Sequence, residues 1–153
     1  MSNGFRFPLF IDLEGRRVVV VGAGIIARRR IEALARFGAS VLVIAPDCDG
    51  ELPEGVEYRA RRYATGDLEG AVLAVAATDE RETNRAVGEE AHALGIPVSV
   101  ADRREECSFY FPALCFGDDV IAGIVSRGDD HKRTAEAAKA VRRVLSDSKE
   151  LEI

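Results

Sequence analysis

The sequence contains few of the side chains from which metal centres and disulfide frameworks are built. Its 153 residues include three cysteines and two histidines, and the histidines, His92 and His131, lie far apart along the chain. The cysteines form no Cys-x-x-Cys pair, and an odd number without close spacing is typical of reduced thiols in the cytoplasm. We therefore predict a cytoplasmic protein without a metal site built from histidine and cysteine.

Long hydrophobic runs and an excess of positive charge are also missing. No apolar stretch approaches the roughly 20 residues that a membrane-spanning helix needs, and the first residues have no apolar core of the signal-peptide kind. The formal net charge of −5 argues against a general nucleic-acid binder. With 47% hydrophobic and 31% charged residues, the chain has the composition of a globular protein with a substantial core.

A strand–helix–strand pattern occupies residues 17–44. The segments Arg17–Val21 and 41–44 contain continuous apolar runs rich in valine, which is typical of parallel strands buried on both faces. Between them, residues 25–37 carry apolar and charged side chains on opposite sides of a helix, and Gly38 follows where a helix commonly ends. These segments predict a right-handed βαβ unit.

The remaining sequence extends this pattern and then changes. We predict strands at 56–60, 71–76 and 96–100, a helix at 80–94, extended segments at 109–114 and 120–125, and a helix at 134–145. Thr78 or Asp79 is expected to cap the helix at 80–94, and residues 146–153 are expected to fray. The fold class is therefore α/β: a Rossmann-like open parallel sheet with helices on both faces, followed by a short extended-segment extension and a C-terminal helix.

The turn Gly22-Ala23-Gly24 follows a strand and opens a helix, the context of a dinucleotide-binding loop. Gly22 permits a tight turn, Gly24 lets a pyrophosphate approach the backbone, and Ala27 lets the helix lie close to the sheet. The N–H groups of the first helical turn and the helix dipole then favour an anion. A βαβ unit that merely needs a tight turn would produce the same pattern.

The acid that a typical NAD site places at the end of the second strand is missing. Ala45 occupies that position, followed by Pro46 and Asp47. Asp47 either reaches the ribose from two residues further on or is an ordinary loop acid. The arginines at 28–30 would suit the 2′-phosphate of NADP if they faced the ligand, and otherwise form a solvated helix face. We favour NAD as the cofactor.

Ligands of parallel sheets bind beyond the carboxyl ends of the strands, and Asp102 lies at one of these ends. Its carboxylate would serve as a general base or a cation ligand, or would simply cap a turn. Positive charge is concentrated in the sequence that follows Asp102. If the loop at 126–133 converges on Asp102, the site suits a polyanionic substrate; otherwise the charges are scattered over the surface. The basic residues are Arg103, Arg104, Arg127, Lys132 and Arg133.

Five short blocks occur in a specific order along the chain. They are FPLFIDL at 7–13, VVGAGIIARR at 20–29, AATD at 76–79, VSVAD at 98–102 and CSFYFPA at 107–113. Together they resemble the precorrin-2 dehydrogenase family, the N-terminal module of siroheme synthase, and the resemblance extends over residues 7 to about 145.

The resemblance implies NAD-dependent oxidation of precorrin-2 to sirohydrochlorin in siroheme biosynthesis. In many members the same site also inserts Fe²⁺, and the family is commonly a homodimer. The implied organisation is an NAD-binding Rossmann domain at 1–112 and a truncated dimerisation and substrate-side extension at 113–153.

The resemblance also implies roles for individual residues. Asp102 matches the family's catalytic aspartate, and the many carboxylates of the tetrapyrrole explain a basic site. Cofactor contacts are implied for Gly22, Gly24, Ile25, Ile26, Pro46, Asp47, Thr78 and Asp79. Substrate contacts are expected at Arg103, Ser126, Arg127 and Gly128.

The loop after the last predicted strand departs from the family pattern. Arg127 replaces a glycine and Asp130-His131 replaces a Ser-Pro pair, so side chains occupy a place where bare backbone would approach a ligand. Ser99 likewise replaces an asparagine.

Two alternative functions are a non-catalytic module that binds NAD and a tetrapyrrole, and an NAD-sensing regulatory domain of the ion-channel gating type.

Overall fold

The computed structural model describes residues 4–147, which form two compact units. One unit consists of Ile11–Phe109. The other combines the described residues before 11 with those from 110 onward. The functional division at 112/113 that the sequence suggests stays a prediction.

The first unit is built around five parallel strands in the order β3-β2-β1-β4-β5. This arrangement confirms the predicted Rossmann-like sheet. A short 3₁₀ turn at Arg104–Glu106 follows the last strand. The elements are β1 (Arg17–Val21), α1 (Ile25–Arg36), β2 (Ser40–Ala45), β3 (Glu57–Ala60), β4 (Leu73–Ala76), α2 (Arg81–Leu94) and β5 (Val98–Val100).

The valines of β1 are buried on both faces of the sheet. Val19 and Val21 belong to one core cluster together with Val87 and Ala91 of α2. Alternate residues of a strand face opposite sides, so Val18 and Val20 enter the other face, where α1 packs on β1 and β2. Helices therefore cover both faces, as predicted, and each fully buried valine contributes about 1.5–3 kcal/mol of burial free energy.

The strand order changes direction between the parallel strands β1 and β4. From β1 the chain passes through α1 to β2 on one side, whereas from β4 it passes through α2 to β5 on the other. Such a switch point leaves a crevice at the carboxyl ends of the two central strands, where α/β folds bind their ligands. The Gly22 turn and the segment after Ala76 border this crevice.

Several predicted element ends differ from the observed ones for identifiable reasons. Strand β5 begins at Val98 rather than at 96, because Ile96 donates its N–H to the Ala91 carbonyl (2.8 Å) and so completes the end of α2. Strand β4 begins at Leu73 rather than at 71, because Ala71 donates its N–H to Leu68 in a turn (3.1 Å).

The first helix and the third strand are also slightly shorter than predicted. Helix α1 ends at Arg36, and Gly38 follows in the left-handed region with φ of 77°. Strand β3 begins at Glu57 rather than at 56, and β2 is longer than predicted by one residue at each end.

The second unit contains a β-hairpin and a helix. Strands β6 (Ala113–Phe116) and β7 (Ile121–Ile124) are antiparallel, which confirms the two extended segments, although residues 109–112 are not part of the first strand. Buried Cys115 lies against the Ala138 carbonyl of α3 (His131–Asp147), with Sγ 3.5 Å from the oxygen.

Helix α3 begins three residues before the predicted start. The Asp130 carboxylate accepts a hydrogen bond from the Arg133 N–H (2.9 Å), the arrangement of a helix N-cap. The helix also extends to Asp147, and the rest of the segment predicted to fray lies outside the described residues. No helix within residues 4–147 is long and apolar enough to cross a membrane.

Candidate active site

Gly22 lies where the first strand leaves the sheet, against the backbone that leaves β4. Its φ is +116°, and a Cβ built on it would lie 2.2 Å from the Ala77 carbonyl oxygen. Its N–H donates to the Ile44 carbonyl of the neighbouring strand (2.9 Å). Only glycine combines this backbone conformation with so close an approach, so Gly22 brings the exits of β1 and β4 together.

Gly24 has a different role, because neither its conformation nor its packing requires glycine. Its φ is −74°, and a Cβ built on it would meet no atom of the described residues within 4 Å. Gly24 is the N-cap residue of the 12-residue helix α1, whose first turn carries no acidic side chain. The free N–H groups of this turn and the open space beside Gly24 fit a pyrophosphate that approaches the backbone.

The next two residues, Ile25 and Ile26, place apolar side chains on the surface beside this space. Ile25 is 76% exposed and Ile26 is 55% exposed. Both side chains leave most of their apolar surface uncovered by the described residues, and a bound ligand would cover apolar surface of this kind.

Thr78 is held by Asn84, a fully buried residue of α2. The Asn84 Oδ1 atom accepts hydrogen bonds from the Thr78 N–H (3.0 Å) and hydroxyl (2.7 Å), and Nδ2 donates to the Thr78 carbonyl (3.0 Å). The expectation that Thr78 or Asp79 caps α2 is wrong: the N-cap residue is Glu80, without a side-chain cap bond. The Thr78 hydroxyl donates to Asn84 and accepts a hydrogen bond from the Glu80 N–H (3.2 Å), so it fixes the segment that borders the crevice.

A tyrosine hydroxyl donates a hydrogen bond to the last residue of β2. Ala45 is buried, and its carbonyl accepts a hydrogen bond from the Tyr58 hydroxyl (3.0 Å). Burial raises the pKa of Tyr58, and the nearby Cys48 and Asp47 raise it further. Pro46 and Asp47 are exposed just beyond this point, where a ligand at the carboxyl end of β2 would reach them.

The three arginines at 28–30 differ in environment: Arg29 is exposed, as the solvated-face alternative predicts, whereas Arg28 and Arg30 are partly buried. Arg28 donates to the carbonyls of Asp49 and Glu51 in the loop after β2, the latter at 3.1 Å. Arg30 donates to the Ser99 hydroxyl (3.1 Å), and burial lowers the pKa of Arg30.

Asp102 follows β5 and forms an ion pair with Arg81, the first residue of α2. Arg81 Nη1 lies 2.8 Å from Asp102 Oδ1, and Arg81 Nη2 lies 2.5 Å from Glu106 Oε2. Partial burial alone would lower the pKa of Arg81, but the two carboxylates outweigh it and raise that pKa. One guanidinium therefore bridges two acids of the turn after β5.

The turn that carries Asp102 is tied to the edge of the sheet. The Cys107 thiol lies 3.1 Å from the Val100 amide nitrogen, and the Ser108 hydroxyl accepts from the Val98 N–H (2.9 Å). The Ser108 N–H in turn donates to the Val98 carbonyl (2.9 Å). Cys107 and Ser108 thus satisfy the outer edge of β5 and close the loop around Asp102.

The predicted substrate residues fall into both compact units. Arg103 is exposed next to Asp102. In the other unit, the Ser126 hydroxyl donates to the Gly128 carbonyl (2.5 Å), and the Arg127 guanidinium lies 3.9 Å from the centre of the Phe5 ring. The convergence of the loop at 126–133 on Asp102 stays a prediction.

Sequence reasoning missed Asn84 and Arg81. Asn84 is a polar residue on the buried face of an amphipathic helix, and that position is a signal that pattern reading could have used. Arg81 had no comparable signal, since its partner Asp102 lies 21 residues further along the chain.

Comparison with known proteins agrees with this arrangement. Residues 9–113 match the model of a family described as "Putative NAD(P)-binding". The chain is 46% identical over 145 residues to "Probable multifunctional siroheme biosynthesis protein HemA" of Ruminiclostridium josui. The aligned region covers 91% of this chain and 28% of that protein. It is 44% identical over 127 residues to "Siroheme synthase" of Azotobacter vinelandii, covering 80% of this chain and 27% of that protein.

A solved structure, "SirC, precorrin-2 dehydrogenase", has the same fold, with a TM-score of 0.76 and 23% sequence identity over 94% of this chain and 76% of that one. The chain spans little more than a quarter of the length of the curated relatives named above. These findings confirm the predicted resemblance to the siroheme synthase module. With its glycine turn at the switch point and a family model that matches most of its length, the chain belongs to this NAD(P)-binding family.

Proposed function

We propose that this chain oxidises precorrin-2 to sirohydrochlorin with NAD⁺ as the acceptor, as a step of siroheme biosynthesis. The observation that carries the proposal is the position of Asp102. This residue follows β5, the strand that pairs with β4, and lies in the same compact unit as the Gly22 turn. The relatives named for siroheme biosynthesis support the choice of substrate.

The coenzyme would be held by backbone at the switch point. Gly22 makes the tight turn, and Gly24 leaves room for the pyrophosphate. The first turn of α1 supplies N–H donors, with Ile25 and Ile26 beside them. Pro46 and Asp47 would contact the ribose, and Thr78 and Asp79 would line the crevice from β4. When bound, NAD⁺ supplies the acceptor for the hydride that the macrocycle loses.

Asp102 would remove the proton that accompanies this oxidation. Arg81 holds its Oδ1 atom, and no other hydrogen bond reaches the carboxylate from the part of the chain that the structure describes, which leaves Oδ2 for a substrate proton. A general base typically contributes ~10²–10⁴-fold to the rate. The same carboxylate would accept a pyrrole proton if Fe²⁺ is inserted as a second reaction.

Arg103, Ser126, Arg127 and Gly128 are proposed to contact the tetrapyrrole. The stacking of Arg127 on Phe5 orients a guanidinium that suits a carboxylate side chain. A homodimer belongs to the same proposal, supported by exposed Phe7 (89%) and Phe10 (77%). We also propose that the protein is located in the cytoplasm, a location that the three free cysteines among the described residues support.

The decisive assay mixes the purified protein with precorrin-2 and NAD⁺ and follows NADH and sirohydrochlorin by absorbance. Formation of both products in equal amounts supports the dehydrogenase. Tight tetrapyrrole binding without NADH would instead establish the non-catalytic module. Addition of Fe²⁺ to the sirohydrochlorin formed tests insertion separately, and light scattering at the working concentration tests the dimer.

A further inference from the structure

We propose that Arg81 is a positioning residue for Asp102: its guanidinium, anchored by Glu106, holds the carboxylate in the orientation that accepts a substrate proton. The inference rests on the proposed function and adds to it a residue outside the glycine turn and outside the expected substrate contacts.

The geometry of the guanidinium carries the first step. Two different nitrogens of Arg81 are used, Nη1 for Asp102 at 2.8 Å and Nη2 for Glu106 at 2.5 Å. A planar guanidinium presents its donors in fixed directions, so binding Glu106 at one nitrogen sets the direction in which the other points. Asp102 is thereby held at Oδ1 rather than merely attracted.

Both ends of this contact belong to restrained parts of the unit. Arg81 begins α2 directly after the segment that Asn84 holds through Thr78. On the other side, the Glu106 carbonyl lies 2.8 Å from Nε2 of His92, which belongs to α2. The Cys107 thiol lies within hydrogen-bonding distance of the Val100 amide nitrogen. Arg81 therefore connects the start of α2 to the turn after β5 at the residue proposed to carry the chemistry.

The exposure of these side chains separates positioning from a purely structural role. Arg81 is 30% exposed and Asp102 is 38% exposed, and ion pairs of such exposed groups contribute little to folding stability. The Asp102 side chain would nevertheless rotate among several rotamers without a partner. Loss of Arg81 should therefore reduce turnover while the fold and the coenzyme site are preserved.

The test compares Arg81→Ala and Arg81→Lys with the matched control Arg85→Ala. Arg85 lies one turn further along α2 and also bridges two acids, Glu82 at 2.8 Å and Glu89 at 3.0 Å, away from Asp102. For Arg81→Ala we expect kcat with precorrin-2 to fall on the order of 10²-fold, the effect of a misplaced reacting group. The Kd for NAD⁺ should stay within about twofold of wild type, since Arg81 does not touch the glycine turn.

Rescue of kcat by added guanidinium distinguishes a positioning role from a purely structural one. Guanidinium at a sub-denaturing concentration should restore part of the kcat of Arg81→Ala, because it replaces the missing group between the two carboxylates. Arg81→Lys should be intermediate, since an ammonium attracts Asp102 but does not bridge in the same directions, and it keeps the test informative if the alanine variant fails to fold. Arg85→Ala should match wild type with and without guanidinium.

The outcomes distinguish this inference from the proposed function. Wild-type kcat in Arg81→Ala or in Arg81→Lys would overturn the positioning role while the dehydrogenase stands. A loss of kcat in Arg81→Ala that guanidinium does not restore, together with a lowered unfolding midpoint, would also overturn it. If the wild-type protein forms no NADH from precorrin-2, the proposed function fails first, and the positioning role is rejected with it.

Discussion

Asn84 holds Thr78 through three hydrogen bonds that involve the amide, carbonyl and hydroxyl groups of the threonine. The asparagine is fully buried, whereas Thr78 lies at the edge of the crevice where β4 ends. A buried residue of α2 thus fixes the segment that is proposed to face the coenzyme.

We expect Asn84→Leu to weaken both the fold and the coenzyme site. It would leave the Thr78 N–H and carbonyl without a partner at a cost of about 1–3 kcal/mol, visible in urea unfolding. The Kd for NAD⁺, measured by calorimetry, should rise as the segment moves. Arg85→Ala is the surface control, and an unchanged Kd in folded Asn84→Leu would remove Thr78 from the coenzyme site.

Gly22 and Gly24 should respond differently to the same substitution. Gly22→Ala adds a Cβ that would lie 2.2 Å from the Ala77 carbonyl oxygen in a backbone conformation unfavourable to alanine. We expect the free energy of unfolding to fall by at least about 1–3 kcal/mol, as measured by denaturant titration.

Gly24→Ala adds a Cβ with no described neighbour within 4 Å and an ordinary φ. Its free energy of unfolding should fall by less than about 1 kcal/mol, because alanine fits this backbone conformation but is a poorer N-cap residue than glycine. NAD⁺ should bind more weakly, because the Cβ enters the space assigned to the pyrophosphate. Unaltered NAD⁺ affinity in this variant would show that the coenzyme does not approach Gly24.

Asp102→Asn should separate chemistry from binding. The amide is nearly isosteric with the carboxylate but cannot accept the substrate proton, so kcat should fall ~10²–10⁴-fold. The Kd for NAD⁺ should remain close to wild type. Stopped-flow detection of NADH measures the first turnover directly, and a wild-type burst would exclude Asp102 as the base.

Asp67 should make stability depend on pH in the acid range. Both of its carboxylate oxygens lie 2.8 Å from Arg61 guanidinium nitrogens. The hydrogen bonds to Arg61 lower the pKa of Asp67 against the effect of burial, and the Ala64 N–H lowers it further.

A carboxylate with a lowered pKa stabilises the folded state above its unfolded pKa of about 3.9, and this contribution is lost as pH falls through the folded value. Asp67→Asn should therefore cost about 1–2 kcal/mol at neutral pH, and the difference from wild type should shrink below about pH 4. Urea unfolding at several pH values measures it; a difference that stays constant down to pH 2 would contradict the linkage.

The sequence alone determined the sheet, the glycine turn and the family. Valine runs with no polar interruption specify strands buried on both faces, and the glycines that follow specify the turn, because these signals are local and depend on few neighbours. Asp102 is likewise singled out by its place after a strand and by the resemblance, and its catalytic role stays a prediction.

The tertiary structure alone decided which partner each polar side chain takes. Arg81 meets Asp102, Arg30 meets Ser99 and Tyr58 meets Ala45 across 21, 69 and 13 residues of chain. Strand order brings such residues together, and each arginine has several acids within reach along the sequence. Because hydrogen bonds depend on distances and angles that only packing establishes, no periodicity could distinguish the arginine that holds Asp102 from those that face solvent.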